Sequence, residues 1–575
     1  MSGSGPSADA ISISETLALL DGPFSTVASA VAEDRYALWL GSGISRARMP
    51  PISSLIEKVL NFLQENCDAT DASCRFRHSL ERIVALSGPT ADELQSIDYA
   101  RPPSAWPSFD AVVQRLGLQY ARMLDMAPLG EPVDYLVWTA LDVRGVYGNA
   151  SAVPATEHLI VAALALEGVA SVLATANWDG LVEKALLELS GSTDAIRVVV
   201  KPEDLRGAEP LANLYKFHGC AVLARDDPPG YRDRIVGRWS QIVGWSDRRE
   251  NAAVAARLVD AAATKPTLML GLSAQDANIQ GIFSAAEARM TWPWPVIPAA
   301  CVFCEETLGA DQQTLLQNVY RASITPANGT EIRSSAHIRA FAKSFLPALW
   351  YHVLANKLVV LSQRLAPAIA QVELSELRNG ILSLRNRAAL TCQPGQQEPF
   401  SRMSLWTLRR TLSLFRRGKE PPPVGPRYEP LTSFPVQRIA TDAAIPTTGM
   451  PELAVAIGLL GLSADAAAWQ LRLSEESEST AGVMRIVATV GQADVLFAAN
   501  AQVAAQLFSD GKVSEHNETI LVHSHAIPSR AARSPKRPLG RLGKSKLREV
   551  SIAELLHQNQ TTAALVTSFR EKVAL

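Results

Sequence analysis

Short apolar runs alternate with helix-patterned stretches through the first half of the chain, and this alternation constrains the fold more than any other feature. The runs at 36–40, 171–175, 196–200, 213–217, 267–271 and 296–303 have the length and composition of buried strands. Between them, 54–64, 157–166, 180–189 and 249–262 carry apolar residues at helical spacing. The pattern predicts an α/β fold, a doubly wound Rossmann-like parallel sheet with helices on its faces. Residues 77–150, broken at Pro102, Pro103, Trp106 and Pro107, are expected to form a helical insertion.

The rest of the chain follows a different pattern. Residues 335–390 stay helical, and then Pro394-Gly395 and the Pro421-Pro422-Pro423 run interrupt the periodicity. The expected division is a sheet domain at 1–345, a helical segment at 346–392, a linker at 393–430 and a small α/β domain at 431–575. In the last, 484–490, 495–498 and 520–522 read as strands, and 501–508 and 552–556 as helices. A chain of 575 residues has room for two or three such units.

Bulk charge argues for no particular partner. The formal net charge is −2, with 19% charged residues, so nucleic acid contact would have to come from a local patch. Two basic segments qualify, 402–419 and 530–548; a solvated loop or an acidic protein interface is the alternative, because neither interleaves aromatics for base stacking. The first ten residues lack the pattern of a secretory signal, and the apolar stretches 158–176 and 453–462 are interrupted or short, so a cytoplasmic protein without membrane contact is expected. Six cysteines suit a reducing compartment. The pair Cys301 and Cys304 lies in an apolar run and supplies only half a zinc site. His523 and His525, placed on one strand face, read as a structural pair.

The chemistry sits where the expected strands end. Gly41-Ser42-Gly43-Ile44-Ser45 follows the first strand, and glycines there let a backbone approach a pyrophosphate. Thr175-Ala176-Asn177-Trp178-Asp179 follows the second, with Asp179 either in a site or capping the next helix. His218-Gly219 ends a third, where an imidazole can take a proton from water or a ribose hydroxyl. Gly271-Leu272-Ser273 ends a fourth and leads into Asp276, again a helix cap or a site residue.

In this order the four motifs resemble the sirtuin superfamily, over about residues 35–283. The finer pattern, with Glu183 after the second motif and Gly-x-Ser-x-x-Asp-x-Asn-Ile at the end, resembles the sirtuin-like NAD hydrolases of bacterial anti-phage systems. The resemblance implies that Gly41, Ser42 and Gly43 cradle the pyrophosphate of NAD and that Gly271 and Ser273 hold its adenosine side, with Ser45, Thr175 and Asp276 completing the binding set. It implies catalytic roles for Asn177, which would position ribose and water, for Asp179 at the nicotinamide amide, and for His218 as general base. One departure is Arg46-Ala47-Arg48-Met49-Pro50, where deacetylases run toward Gly-Ile-Pro, so the loop over the nicotinamide ribose is expected to close differently.

Deacetylases of that superfamily also carry a zinc module of two cysteine pairs between the third of these strand ends and the fourth. Here that interval holds only Cys220, so no zinc is expected and transfer of ADP-ribose to water is the reaction most readily left. A non-catalytic NAD or ADP-ribose binding module and a protein deacylase remain as alternatives. The resemblance further implies a role in defence by NAD depletion, as a homo-oligomer or with a partner such as a HerA-type ATPase or a short Argonaute.

Overall fold

The computed structural model describes residues 6–573 apart from 69, 72, 291–293, 296, 366–370, 467–468, 474–481, 483, 489–490, 528–545 and 560. Seven parallel strands form the first sheet: β1 (Ala37–Leu40), β2 (Val172–Thr175), β3 (Ile196–Val199), β4 (Ala212–Lys216), β5 (Thr267–Leu270), β6 (Cys301–Cys304) and β7 (His337–Ile338). Their order is β3-β4-β2-β1-β5-β6-β7. The chain winds one way from β1 and the other way from β5, so the crevice between these two strands is the switch point at which such sheets bind ligands.

Burial on both faces explains the continuous apolar runs. Leu38, Leu40, Leu173, Leu268 and Leu270 face one core, while Ala37, Trp39, Ala174 and Met269 face the other. The strand expected at 296–303 begins only at Cys301, because Ile297-Pro298 cannot sit in a central ladder. Strand β7 has two residues, too few to leave a periodic signal.

Helices flank the sheet, among them α1 (Thr156–Leu166), α2 (Leu181–Ser190) and α3 (Ala277–Arg289). The insertion starts earlier than its sequence pattern indicated. The helix Ile52–Glu65 contributes Ile56, Val59, Leu60 and Leu63 to a separate core with Leu80, Val112, Leu136 and Trp138. That core also takes in Ala221, Ala224 and Ile235, so the insertion is seated over the carboxyl end of β4.

Next come α4 (Ala342–Gln363), α5 (Gln371–Leu390), α6 (Gln397–Arg417) and α7 (Met450–Asp465). The helix α6 occupies most of the expected linker, since the prolines that suggested a break bracket it rather than enter it. Helix α4 is long and apolar enough to cross a membrane by length and composition, and 72% of its apolar window is buried inside the protein. It packs on α1, α5 and α7 and so joins the two halves. Lys357 of α4 and Glu167 at the end of α1 form a fully buried ion pair at 2.6 Å. Glu167 also accepts from the Tyr428 hydroxyl (2.5 Å) and the Leu431 N–H (2.8 Å), and Lys357 donates to the Thr432 carbonyl (2.7 Å). The core of the first sheet accordingly extends past residue 345 to Ala389, Phe400, Leu405 and Tyr428.

A second, mixed sheet of five strands follows, in the order β12-β11-β10-β9-β8: β8 (Gln470–Leu473), β9 (Met484–Ala488), β10 (Gly491–Ala498), β11 (Thr519–His523) and β12 (Leu547–Ser551). Strands β10, β11 and β12 are parallel, and β9 pairs antiparallel with both neighbours. His525 lies beyond the end of β11, so it does not share a strand face with the buried His523.

Candidate functional site

Strand register brings the four motifs together. In the ladder Leu40 pairs with Thr175 and with Leu270, and Thr175 pairs with Lys216, so the residues after each strand emerge at one level. The first and fourth motifs touch through backbone. Gly41 N–H donates to the Leu270 carbonyl (2.9 Å) and Gly43 N–H to the Gly271 carbonyl (3.0 Å). A Cβ at Gly41 would lie 2.1 Å from the Gly271 oxygen, and one at Gly43 would lie 2.6 Å from the Gly271 Cα. Gly271 itself has φ +60°. These glycines are thus required by the contact of two turns before any ligand is considered. Of the binding set, Ser42 and Ser273 present exposed side chains.

Ser45 is the centre of a buried side-chain network. Its Oγ lies 3.0 Å from Asp179 Oδ2 and 3.0 Å from Nε2 of His158, a residue of α1 with no exposed surface. Asp179 Oδ1 accepts from the Leu181 N–H at 3.2 Å, so Asp179 supports the start of α2 as well as the network. Asn177 donates from Nδ2 to the Gly41 carbonyl at 3.0 Å and comes within 3.5 Å of Ser45 Oγ. That bond orients the amide and leaves Asn177 Oδ1 without a partner among the described residues. Thr175 Oγ1 accepts the Asn177 N–H at 3.0 Å, so Thr175 braces the turn.

His218 is buried at the end of β4. Its Nε2 is 3.2 Å from Asp276 Oδ2 and 3.2 Å from Asn278 Nδ2. The carboxylate can only accept and the amide nitrogen can only donate, so the ring has a partner whether or not Nε2 carries a proton. Burial pushes the imidazole below its ordinary value, and the charge of Asp276 opposes that only in part. Asp276, placed in the binding set by the resemblance, pairs with His218 and caps α3 through the Asn278 N–H (2.7 Å). Glycine is required at 219, where φ is +95° and a Cβ would lie 2.5 Å from the Arg234 carbonyl.

The insertion roofs these strand ends. Trp178 stacks edge-on to Tyr147, with ring centroids 5.3 Å apart, and donates to the Val236 carbonyl, while Val236 N–H bonds the His218 carbonyl at 2.9 Å. Burial, then the charge of Asp179, raises the Tyr147 phenol, and burial with Asp276 raises Tyr120. Behind the site the buried Lys216 pairs with Glu183 at 2.8 Å and donates to the Asp179 carbonyl. The loop that departs from the deacetylase pattern is pinned from outside: Arg48 binds Glu398 of α6 at 2.8 Å and the Val153 carbonyl at 3.0 Å.

The structure therefore gathers Ser45, Asn177 and Asp179 in one network, and His218 with Asp276 in another, on adjoining strand ends. Sequence reasoning missed His158, Asn278 as a partner of His218, and Gln312, which donates to the Leu272 carbonyl at 2.8 Å. A lone histidine opening an otherwise apolar helix just before the second motif was the available signal for His158. The basic segment 402–419 is largely spent internally, through pairs of Arg402 with Glu188, Arg410 with Glu420, and Arg416 and Arg417 with Glu429. Of the segment 530–548, residues 530–545 lie outside the described residues, and Lys546 and Arg548 both pair with Glu518. Cys301 and Cys304 are buried in β6, and among the described residues no group of three or more metal-ligating side chains converges.

Residues 171–318 match the family model of the SIR2-like domain, a stretch that contains the second, third and fourth motifs. Domains of this family use NAD. No curated protein matches the chain.

Proposed function

We propose that the chain hydrolyses NAD at the bond between nicotinamide and ribose, releasing nicotinamide and ADP-ribose, and that it acts by depleting NAD in defence against phage. The observation that carries the reading is that Asn177 and Asp179 follow β2 and His218 follows β4, adjoining strands whose ends stand level with those of β1 and β5. The carbon–nitrogen bond breaks with its electron pair leaving on nicotinamide, and the positive ribose carbon is captured by water. Asn177, held by the Gly41 carbonyl, offers its free amide oxygen to orient that water or the ribose. His218, kept neutral by burial, takes the water's proton, and the cationic ring then rests its N–H on Asp276. Ser42 and Ser273 are left to meet the phosphates and the adenosine ribose.

Incubating the full chain with NAD and resolving the products tests this. Nicotinamide and ADP-ribose in equal amounts are expected. NAD that is bound but intact would favour a non-catalytic binding module, and consumption that requires an acetyl-lysine peptide would favour deacylation.

A further inference from the structure

The network around Ser45 includes a group that belongs to none of the four motifs. His158 enters from the first turn of α1, and apart from Thr156, Glu157 and His158 that helix is entirely apolar. An imidazole buried to this degree is costly unless both nitrogens are satisfied, and here both are. Nδ1 accepts the Ala155 N–H at 3.2 Å, which places the ring proton on Nε2. Nε2–H then donates to Ser45 Oγ, and the single Ser45 proton is left for Asp179 Oδ2, each at 3.0 Å. The order of donors along the chain is fixed from one end to the other.

We propose that His158 is a positioning residue of the NAD-cleaving site, which through Ser45 holds Asp179 and the first-motif turn in the arrangement that acts on the nicotinamide end of the substrate. The assignment rests on the reading in the preceding subsection. Burial draws the imidazole down to about 4, so it donates a hydrogen bond without adding positive charge. A lysine or arginine in its place would set a cation close to a ribose carbon that becomes positive as nicotinamide leaves. Two further bonds make the geometry sensitive to this donor. Asp179 Oδ1 is already tied to the Leu181 N–H, so the pull on Oδ2 sets the carboxylate plane. Asn177 Nδ2 lies 3.5 Å from the same Ser45 oxygen, so a displaced hydroxyl disturbs both second-motif residues together.

The test uses purified full-length chains, with the rate of nicotinamide release at varied NAD and the dissociation constant for ADP-ribose measured separately. His158→Phe keeps the ring and removes the donor, His158→Gln restores a donor near Nε2, and Ser45→Ala removes the relay. For His158→Phe we expect kcat to fall about 10- to 100-fold while ADP-ribose affinity changes less than about threefold. His158→Gln should recover to within about threefold of wild type, and the double variant His158→Phe with Ser45→Ala should be no slower than the worse single one. Additive losses, a Gln variant as slow as the Phe variant, or an equal loss of ADP-ribose binding would assign His158 to packing alone. A wild-type chain that binds ADP-ribose yet releases no nicotinamide would overturn the hydrolase reading and this role with it, whereas an active wild type with additive variants would overturn only the role of His158.

Discussion

The carboxyl ends of β10, β11 and β12 carry Asn500, Ser524 and Ser551, much as those of β1, β2 and β4 lead to Ser45, Asn177 and His218. In the second sheet each of these groups is spent on backbone. Asn500 accepts the Val503 N–H, Ser524 donates to the Gly449 carbonyl, and Ser551 accepts from Glu554 N–H while donating to the His525 carbonyl. In the first sheet Asn177 also bonds a backbone carbonyl, but Ser45 bonds Asp179 and His158, and His218 bonds Asp276 and Asn278, side chain to side chain. Polar residues at parallel strand ends therefore do not by themselves mark a site. What separates the two sheets is whether those side chains close turns or hold one another.

The largest expected effect draws that contrast directly. Asn177→Ala or His218→Ala should lower nicotinamide release by roughly 10²- to 10⁴-fold, whereas Ser524→Ala should leave the rate within about threefold of wild type. Comparable losses from Ser524→Ala would erase the distinction between the sheets. The connection between them comes next. Lys357→Met leaves the Glu167 carboxylate buried without its cation and should cost about 3–5 kcal/mol in urea unfolding, part of which a second change, Glu167→Gln, should recover. Acid provides a third probe. His158 stays neutral in the folded chain down to about pH 4 but takes a proton near 6.5 when unfolded, so its contribution is complete above 6.5 and is lost as the pH falls toward 4. Unfolding free energy should drop in that window by up to about 1.4 kcal/mol per pH unit from this group, and His158→Gln should flatten the slope. The smallest change belongs to the second sheet: Asn500→Ala should cost about 1 kcal/mol of stability, as loss of a helix cap does, without altering NAD turnover.

The sheet was legible because strands buried on both faces must be apolar throughout and because Gly41, Asn177, His218 and Gly271 interrupt them at their ends. Helix α6 was hidden because Pro394 and Pro421–Pro423 flank it closely enough to suggest a break, although they terminate it without entering it. Around the strand ends, the polar residues could be picked out of the sequence and their hydrogen-bond partners could not. The bonds of Asp276 to His218 and of Thr175 to the Asn177 N–H, for example, leave no mark in the local sequence. His158 and Ser45 are 113 residues apart, and no local pattern encodes a bond across that distance. Pairing of this kind comes from strand order, which the alternation of elements leaves open.

Helix α1 carries His158 in its first turn and is followed at once by Glu167, whose carboxylate is enclosed by Lys357, Tyr428 and Leu431. This decides where the gene can be divided. A fusion that joined residues 1–345 to a foreign second half would inherit a bare carboxylate facing apolar side chains, one rigid 11-residue rod away from the Ser45 network. Shuffling of this protein would therefore have to carry the polypeptide through at least Thr432, and the smallest piece able to change hosts is much larger than the first sheet alone.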